Sequence, residues 1–299
     1  MGFKEELYSL TNLTVSENEP MSKHTGYSLG GNADYFVAPY TVKCLSQILS
    51  LCTEYGVKYK FIGNGTNLLF SDKGYKGLVI TLKGFNSLYY NNDRVYAYCG
   101  VNLCELTLFS AEYGLYGAEP LAGIPATVGG ATVMNAGAFD RCIGDFIDGV
   151  LTIKDGKYQW YSRGECKFGY RKSRFLNSKD PIISVVFSFK KSLGNTRDYK
   201  QIIERCNKAR KNNQPKGKSC GCVFKNPKGD YAGRLIDSLG LKGLTYGGAS
   251  VSQKHANFIL SQKGCTASDI YNLTQIIKEK VKNQLGINLT EEIEFLGEF

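Results

Sequence analysis

Apolar positions recur at helical spacing in Val42, Leu45, Ile48, Leu49 and Cys52. They follow Thr41, whose hydroxyl suits a helix start, and stop at Gly56, which suits a helix end. Flanking this helix, residues 33–37, 58–62 and 77–82 read as strands, the first apolar and alternating and the second short. Together they predict a β-α-β unit with a glycine-rich loop at the end of its second strand. Ahead of it, the residues up to Leu13 predict a polar-faced helix. A second module begins near Arg94 with the strand VYAYCG and a helix from Leu103 to Tyr113, ended by Gly114. DFIDGVLTI, YQWYS and PIISVVFSF then alternate apolar and polar residues, the first two joined by an Asp155-Gly156 hairpin turn. An amphipathic helix from Thr196 to Asn212 leads to a third module. That module predicts a helix over Tyr231–Leu239, strands over 247–252 and 255–261, and a helix from Ala267 to Leu285. Its last segment predicts a strand carrying Glu291, Glu292 and Glu294. The expected division is 1–88, 89–195 and 196–299.

Composition changes this picture little. A chain of 299 residues with 42% hydrophobic and 21% charged positions is long enough for two or three cores and is unlike a disordered polymer. Its net charge of +10 favours acidic partners, and nucleic acid, a membrane surface or phosphorylated small molecules all fit that sign. The densest basic run, Lys208–Lys218, reads as a solvated helix end and linker, or as an attractive field for an anionic ligand nearby. The ten cysteines are scattered, no secretory signal opens the chain and no apolar run is long enough to span a bilayer. Reduced thiols and a cytoplasmic location are therefore expected. With two histidines and no paired CxxC spacing, no metal site is expected.

Three stretches carry candidate chemistry. Gly63-Asn64-Gly65-Thr66-Asn67 can present consecutive backbone N–H groups and two kinds of side-chain donor to a pyrophosphate, or form a tight turn before a buried strand. Neither reading prevails on this loop alone. Residues 117–139 mix glycine and alanine with little charge, so another body is expected to approach the backbone closely. The positions singled out are Gly123, Ile124, Pro125, Thr127, Gly129, Gly130, Asn135, Ala136 and Gly137. Two such loops point to a dinucleotide-sized cofactor between modules. The third stretch, SCGCVFKNP over Ser219–Pro227, places Cys220 and Cys222 one residue apart beside a turn. It reads as an acid group, with a redox or metal pair as the rival.

Taken in order, GNGTNLLFSD, GIPATVGGATVMNAGAF, FGYRKS, GCVFKNP, AGRLIDSLGLKG and the terminal L-x-x-E resemble the UDP-N-acetylenolpyruvoylglucosamine reductase family, over most of the chain. The resemblance implies an α+β/α/β fold: a two-part FAD-binding domain of the vanillyl-alcohol-oxidase (PCMH) type, then a smaller α/β substrate domain. It implies a non-covalent FAD cofactor held by the two glycine-rich loops and NADPH as hydride donor. The partners would be small molecules, with no nucleic acid, membrane or obligate protein partner. It further implies Arg171 as the cation that stabilises an enolate, and Glu292, with Glu291 the less favoured neighbour, as the terminal catalytic carboxyl. Cys222 stands where the family usually has its proton-donating Ser. Tyr170, Ser173, Lys225 and Asn226 are the implied substrate contacts, and the absence of an added loop near YRKS implies the shorter subtype. Two other classes stay open at this stage: a flavin oxidase of the same superfamily, and a basic nucleotide-binding protein without catalysis.

Overall fold

The structure, a computed structural model, describes residues 2–191 and 196–299. Helix α1 (Phe3–Ser9) ends before Leu13, and that residue instead opens β1 (Leu13–Pro20). The acidic, weakly apolar sequence of β1 hides it from a pattern reading. β2 (Asn32–Pro39) leads to α2 (Val42–Glu54), where the Thr41 hydroxyl accepts the Cys44 N–H as the cap requires. β3 (Tyr59–Ile62), β4 (Leu68–Phe70) and β5 (Tyr75–Thr81) follow. β6 (Leu88–Asn91) precedes β7 (Arg94–Tyr98) across Asn92-Asp93, both at positive φ. The same two-residue device closes β11 (Ile147–Lys154) onto β12 (Lys157–Ser162) at Asp155-Gly156. Only the second turn carries the glycine that advertises it, so β6 went unpredicted.

Between those hairpins lie α3 (Leu103–Glu112), β8 (Leu115–Tyr116), α4 (Val128–Met134), β9 (Gly137–Ala138) and β10 (Arg141–Cys142). α4 is built from VGGATVM, whose two glycines argue against a helix on propensity alone. β13 (Ile182–Phe187), β14 (Lys190–Lys191) and α5 (Thr196–Asn213) come next. The last third holds α6 (Ala232–Ser238), β15 (Thr245–Tyr246), β16 (Ala249–Val251), β17 (Ile259–Ser261), α7 (Ala267–Leu285) and β18 (Glu294–Leu296). The terminal strand is shorter than expected. Glu291 and Glu292 precede it in an isolated bridge and a bend, because the segment there pairs with residues 223–225 instead of continuing as β18.

Two compact units emerge. The first comprises residues 1–16, 36–63 and 78–210; the second comprises 17–35, 64–77 and 211–299. The expected cut at 88/89 falls inside the first unit's longest segment. In that unit an antiparallel sheet runs β12-β11-β13-β7-β6. Val95, Ala97, Val150, Val185 and Phe187 are buried on it, and α4 packs against β7 and β13. β3 runs parallel to β5, with Ile62 opposite Thr81. Tyr199 and Ile203 of α5 are buried with Ala111 and Ala122.

In the second unit α7 buries Ile270, Leu273, Ile277 and Val281 at 3.6-residue spacing against Leu235 and Ile236 of α6. Val223, Phe224, Leu289 and Ile293 belong to the same core, which fixes the backbone on either side of Cys222 and Glu292. β18 pairs in parallel with β4, Glu294 opposite Leu68. Among the described residues no helix is long and apolar enough to cross a membrane.

Candidate active site

In the first unit Gly63 meets the second glycine-rich stretch at Thr127. A Cβ on Gly63 would lie 2.6 Å from Thr127 Oγ1, so only glycine permits this approach. Thr127 caps α4, its hydroxyl accepting the Gly130 N–H at 3.2 Å. Gly130 meets nothing else nearby, whereas Gly129 is pressed against Cys99 and Gly137 against Arg141 and Cys142. Gly123 lies against Asn207 and Arg210 of α5. At these last three positions the close-approaching body is the chain itself. Ile124 and Pro125 form a tight turn closed by the Ala126 N–H on the Ile124 carbonyl at 2.8 Å. The Ala136 N–H and carbonyl are bonded to Ala131 and Ile143. Thr127 is buried with its hydroxyl spent on the cap, while Gly63 and Gly130 on either side of it stay partly exposed and, bearing no side chains, leave the backbone there open to a flat, phosphorylated cofactor.

Arg171 stands at the tip of a two-residue turn. Gly169 and Lys172 exchange both backbone hydrogen bonds, at 2.9 and 3.1 Å. Arg171 itself sits at φ +50, in the left-handed region that costs a side-chain-bearing residue energy. Its guanidinium lies 5.2 Å from the Tyr170 ring centroid and donates to the Gly137 carbonyl at 3.4 Å. Burial pushes the Cys142 thiol up, Asp145 adds to this and the Arg171 charge opposes it, which registers the guanidinium beside β10. Tyr170 is exposed. Ser173, by contrast, is buried. Its hydroxyl donates to the Val133 carbonyl at 2.7 Å and accepts the Phe175 N–H at 3.1 Å.

The second unit brings the Cys222 and Glu292 segments together. The Glu292 N–H bonds the Val223 carbonyl at 2.7 Å, and the Lys225 N–H bonds Thr290 at 2.9 Å. Asn67 holds the same segment from the other side. Its Nδ2 donates to the Glu292 carbonyl at 2.9 Å, and its own carbonyl accepts the Glu294 N–H at 3.0 Å. Asn64, Gly65 and Thr66 lie in the turn before Asn67. Gly65, at φ +67, is crowded by the His24 carbonyl and leaves no room for a side chain. Asn226 Oδ1 accepts the Ala232 N–H that opens α6, at 3.1 Å.

Glu291 and Glu292 are distinguishable. Lys278 of α7 lies 2.6 Å from the Glu291 carboxylate. Burial pushes that carboxyl up, but the hydrogen bond and charge of Lys278 prevail and hold it below its ordinary range. Glu291 is thus tied to the helix behind it. The two cysteines differ as well. Cys220 is buried, donates weakly to the Leu68 carbonyl at 3.3 Å, and burial pushes its thiol up to about 12. Cys222 is half-buried, and none of the ten cysteines is in a disulfide.

Residues 33–160 match the family described as "FAD binding domain", and residues 213–296 match "UDP-N-acetylenolpyruvoylglucosamine reductase, C-terminal domain". The UDP-N-acetylenolpyruvoylglucosamine reductase of Carboxydothermus hydrogenoformans is 38% identical over 301 residues, covering 99% of this chain and 98% of the relative. The chain belongs to this reductase family. The enzyme of the same name from Moorella thermoacetica is 39% identical over 295 residues, covering 98% and 97% of the two chains. The crystal structure of UDP-N-acetylenolpyruvylglucosamine reductase (MurB) from Thermus caldophilus superposes with a TM-score of 0.81 at 34% identity. It covers 95% of this chain and 100% of that one. Both the FAD-binding fold and the reductase C-terminal domain expected from the sequence are thereby present.

Sequence reading overlooked Asn257. Its Oδ1 accepts the Phe224 N–H at 2.9 Å and its Nδ2 donates to the Phe224 carbonyl at 2.8 Å, while its own carbonyl accepts the Val223 N–H at 2.9 Å. The carboxamide thus acts as a strand partner for the Cys222 segment. Its only signal in the chain is a polar residue inside the apolar run HANFIL.

Proposed function

We propose that the protein catalyses the NADPH-dependent reduction of UDP-N-acetylglucosamine enolpyruvate to UDP-N-acetylmuramate, in peptidoglycan precursor synthesis. Family membership along the whole chain carries the reaction. The FAD-binding match carries the cofactor. FAD, when bound, supplies the two-electron chemistry, accepting hydride from NADPH and delivering it to the enolpyruvyl C3. Gly63–Asn67 and the 123–137 stretch (Gly123, Ile124, Pro125, Thr127, Gly129, Gly130, Ala136 and Gly137) would hold it. Asn135 enters this set through its backbone only, because its carboxamide is engaged within the chain.

The remaining work falls to side chains. Hydride arriving at C3 drives negative charge onto C2 and the neighbouring carboxylate. Arg171 provides a permanent planar cation for that enolate, on a turn that fixes its direction. Cys222 donates the proton that C2 takes up, leaving a thiolate to be reprotonated from solvent. A thiol is a stronger acid than the serine hydroxyl usual in the family, so the substitution keeps the function. Glu292 is the catalytic carboxyl on the paired segment, Glu291 being bound to Lys278. Tyr170, Lys225 and Asn226 are the proposed substrate contacts, and Ser173 anchors the chain just after the Arg171 turn to Val133. The chain reads as the shorter subtype, acts on small molecules and is placed in the cytoplasm. The test is direct. Purified protein should be yellow and should sustain NADPH oxidation beyond one equivalent per flavin only when the enolpyruvyl sugar nucleotide is added. A colourless protein, or oxygen-driven turnover without that substrate, would overturn the reading.

A further inference from the structure

Asn135 ends α4 in the left-handed conformation, φ +45 and ψ +54, and is 5% exposed. Both ends of its carboxamide are engaged. Nδ2 donates to the Gly169 carbonyl at 2.8 Å, and Oδ1 accepts the Gly144 N–H at 3.0 Å. Gly169 is the first leg of the turn that carries Arg171. Its second leg is anchored two residues earlier, in the same helix, where Ser173 donates to the Val133 carbonyl. The guanidinium then reaches the Gly137 carbonyl, two residues beyond Asn135. The turn that aims Arg171 is thus fastened at both legs to the end of α4. A residue held at a sparsely populated φ persists only when its surroundings over-determine it, and here the surroundings are Asn135 and Ser173.

We propose that Asn135 is a positioning residue for Arg171, holding the strained 169–172 turn so that the guanidinium meets the enolate. The proposal rests on Arg171 serving as that cation. Gly suits the left-handed position as well as Asn does, so Asn135→Gly removes the carboxamide without straining the backbone. Asn135→Asp keeps the shape but places an acceptor against the Gly169 carbonyl, and is read in the same way should the glycine variant fail to fold.

The experiment is a double-mutant cycle in the flavin-loaded protein with Asn135→Gly and Arg171→Ala, following both half-reactions anaerobically. Because the Asn135 backbone belongs to the proposed cofactor-holding set, flavin occupancy and the reductive rate of Asn135→Gly are measured first, and every later rate is taken per bound flavin. Reoxidation of Asn135→Gly by the enolpyruvyl substrate should slow by about 10²-fold, the scale of a misplacement near 1 Å. In the Arg171→Ala background the same change should cost nothing further. Amide exchange at residues 169–172 should rise in Asn135→Gly. Wild-type reoxidation per bound flavin, or an undiminished loss in the Arg171→Ala background, would each overturn the positioning role. Wild-type reoxidation in Arg171→Ala alone would instead sink the reading of Arg171.

Discussion

Adjacent carboxyls in the terminal segment have different neighbours, and that difference predicts different variants. Glu291→Gln removes the partner of Lys278 and should lower folding stability by about 1–2 kcal/mol, with turnover unchanged. Glu292→Gln should slow turnover with stability nearly intact. Urea unfolding and steady-state rates on the two variants check both halves. The sign with pH follows from the lowered Glu291 carboxyl. Its contribution is present above the unfolded value, about 4.3, and is lost as pH falls through the lower folded value. Glu291→Gln should flatten that acid-side loss; an unaltered acid slope would count against the pair. The same scale separates the cysteines, since Cys220 is enclosed in the core and Cys222 is not.

At the scale of elements, α7 has an unusually complete start. Asp72 accepts from the Ala267 N–H, the Ser268 N–H and the Ser268 hydroxyl at 2.7–2.8 Å, and Thr266 caps the helix itself. Asp72→Ala should therefore destabilise the protein by about 1–2 kcal/mol, seen as a lower thermal midpoint with flavin content unchanged. A midpoint equal to wild type would show that Thr266 suffices. The helices with clear periodicity, α2, α3 and α7, were legible in the sequence with their ends. Others were not, for physical reasons. α4 forms from a glycine-bearing run because its glycine packs against Cys99, a tertiary fact no local propensity contains. β6 turns on Asn92-Asp93 without the glycine that marks most such turns. Glu291 and Glu292 fall outside β18 because a distant segment, residues 223–225, claims their backbone.

For the molecule as a whole, the ordered motifs along the chain made the family readable, and relatives covering nearly its full length bear that out. Motifs name residues, however, and not what their atoms do. Asn67, Asn135 and Ser173 all sit in motifs read as ligand contacts, yet hydrogen bonds tie their side chains to the backbone near Glu292, Arg171 and Val133. Asn257 lies in no such motif and still clamps the Cys222 segment. Long-range contacts of this kind exist only after folding. In the proposed reaction Cys222 is the acid that completes reduction of the enolpyruvyl group. The most direct measurement is anaerobic single-turnover reoxidation of the NADPH-reduced protein by the enolpyruvyl sugar nucleotide, compared for wild type, Cys222→Ser and Cys222→Ala. Cys222→Ser should retain substantial turnover, and Cys222→Ala should be slower by about 10²–10⁴-fold. Reoxidation of Cys222→Ala at the wild-type rate would contradict the account.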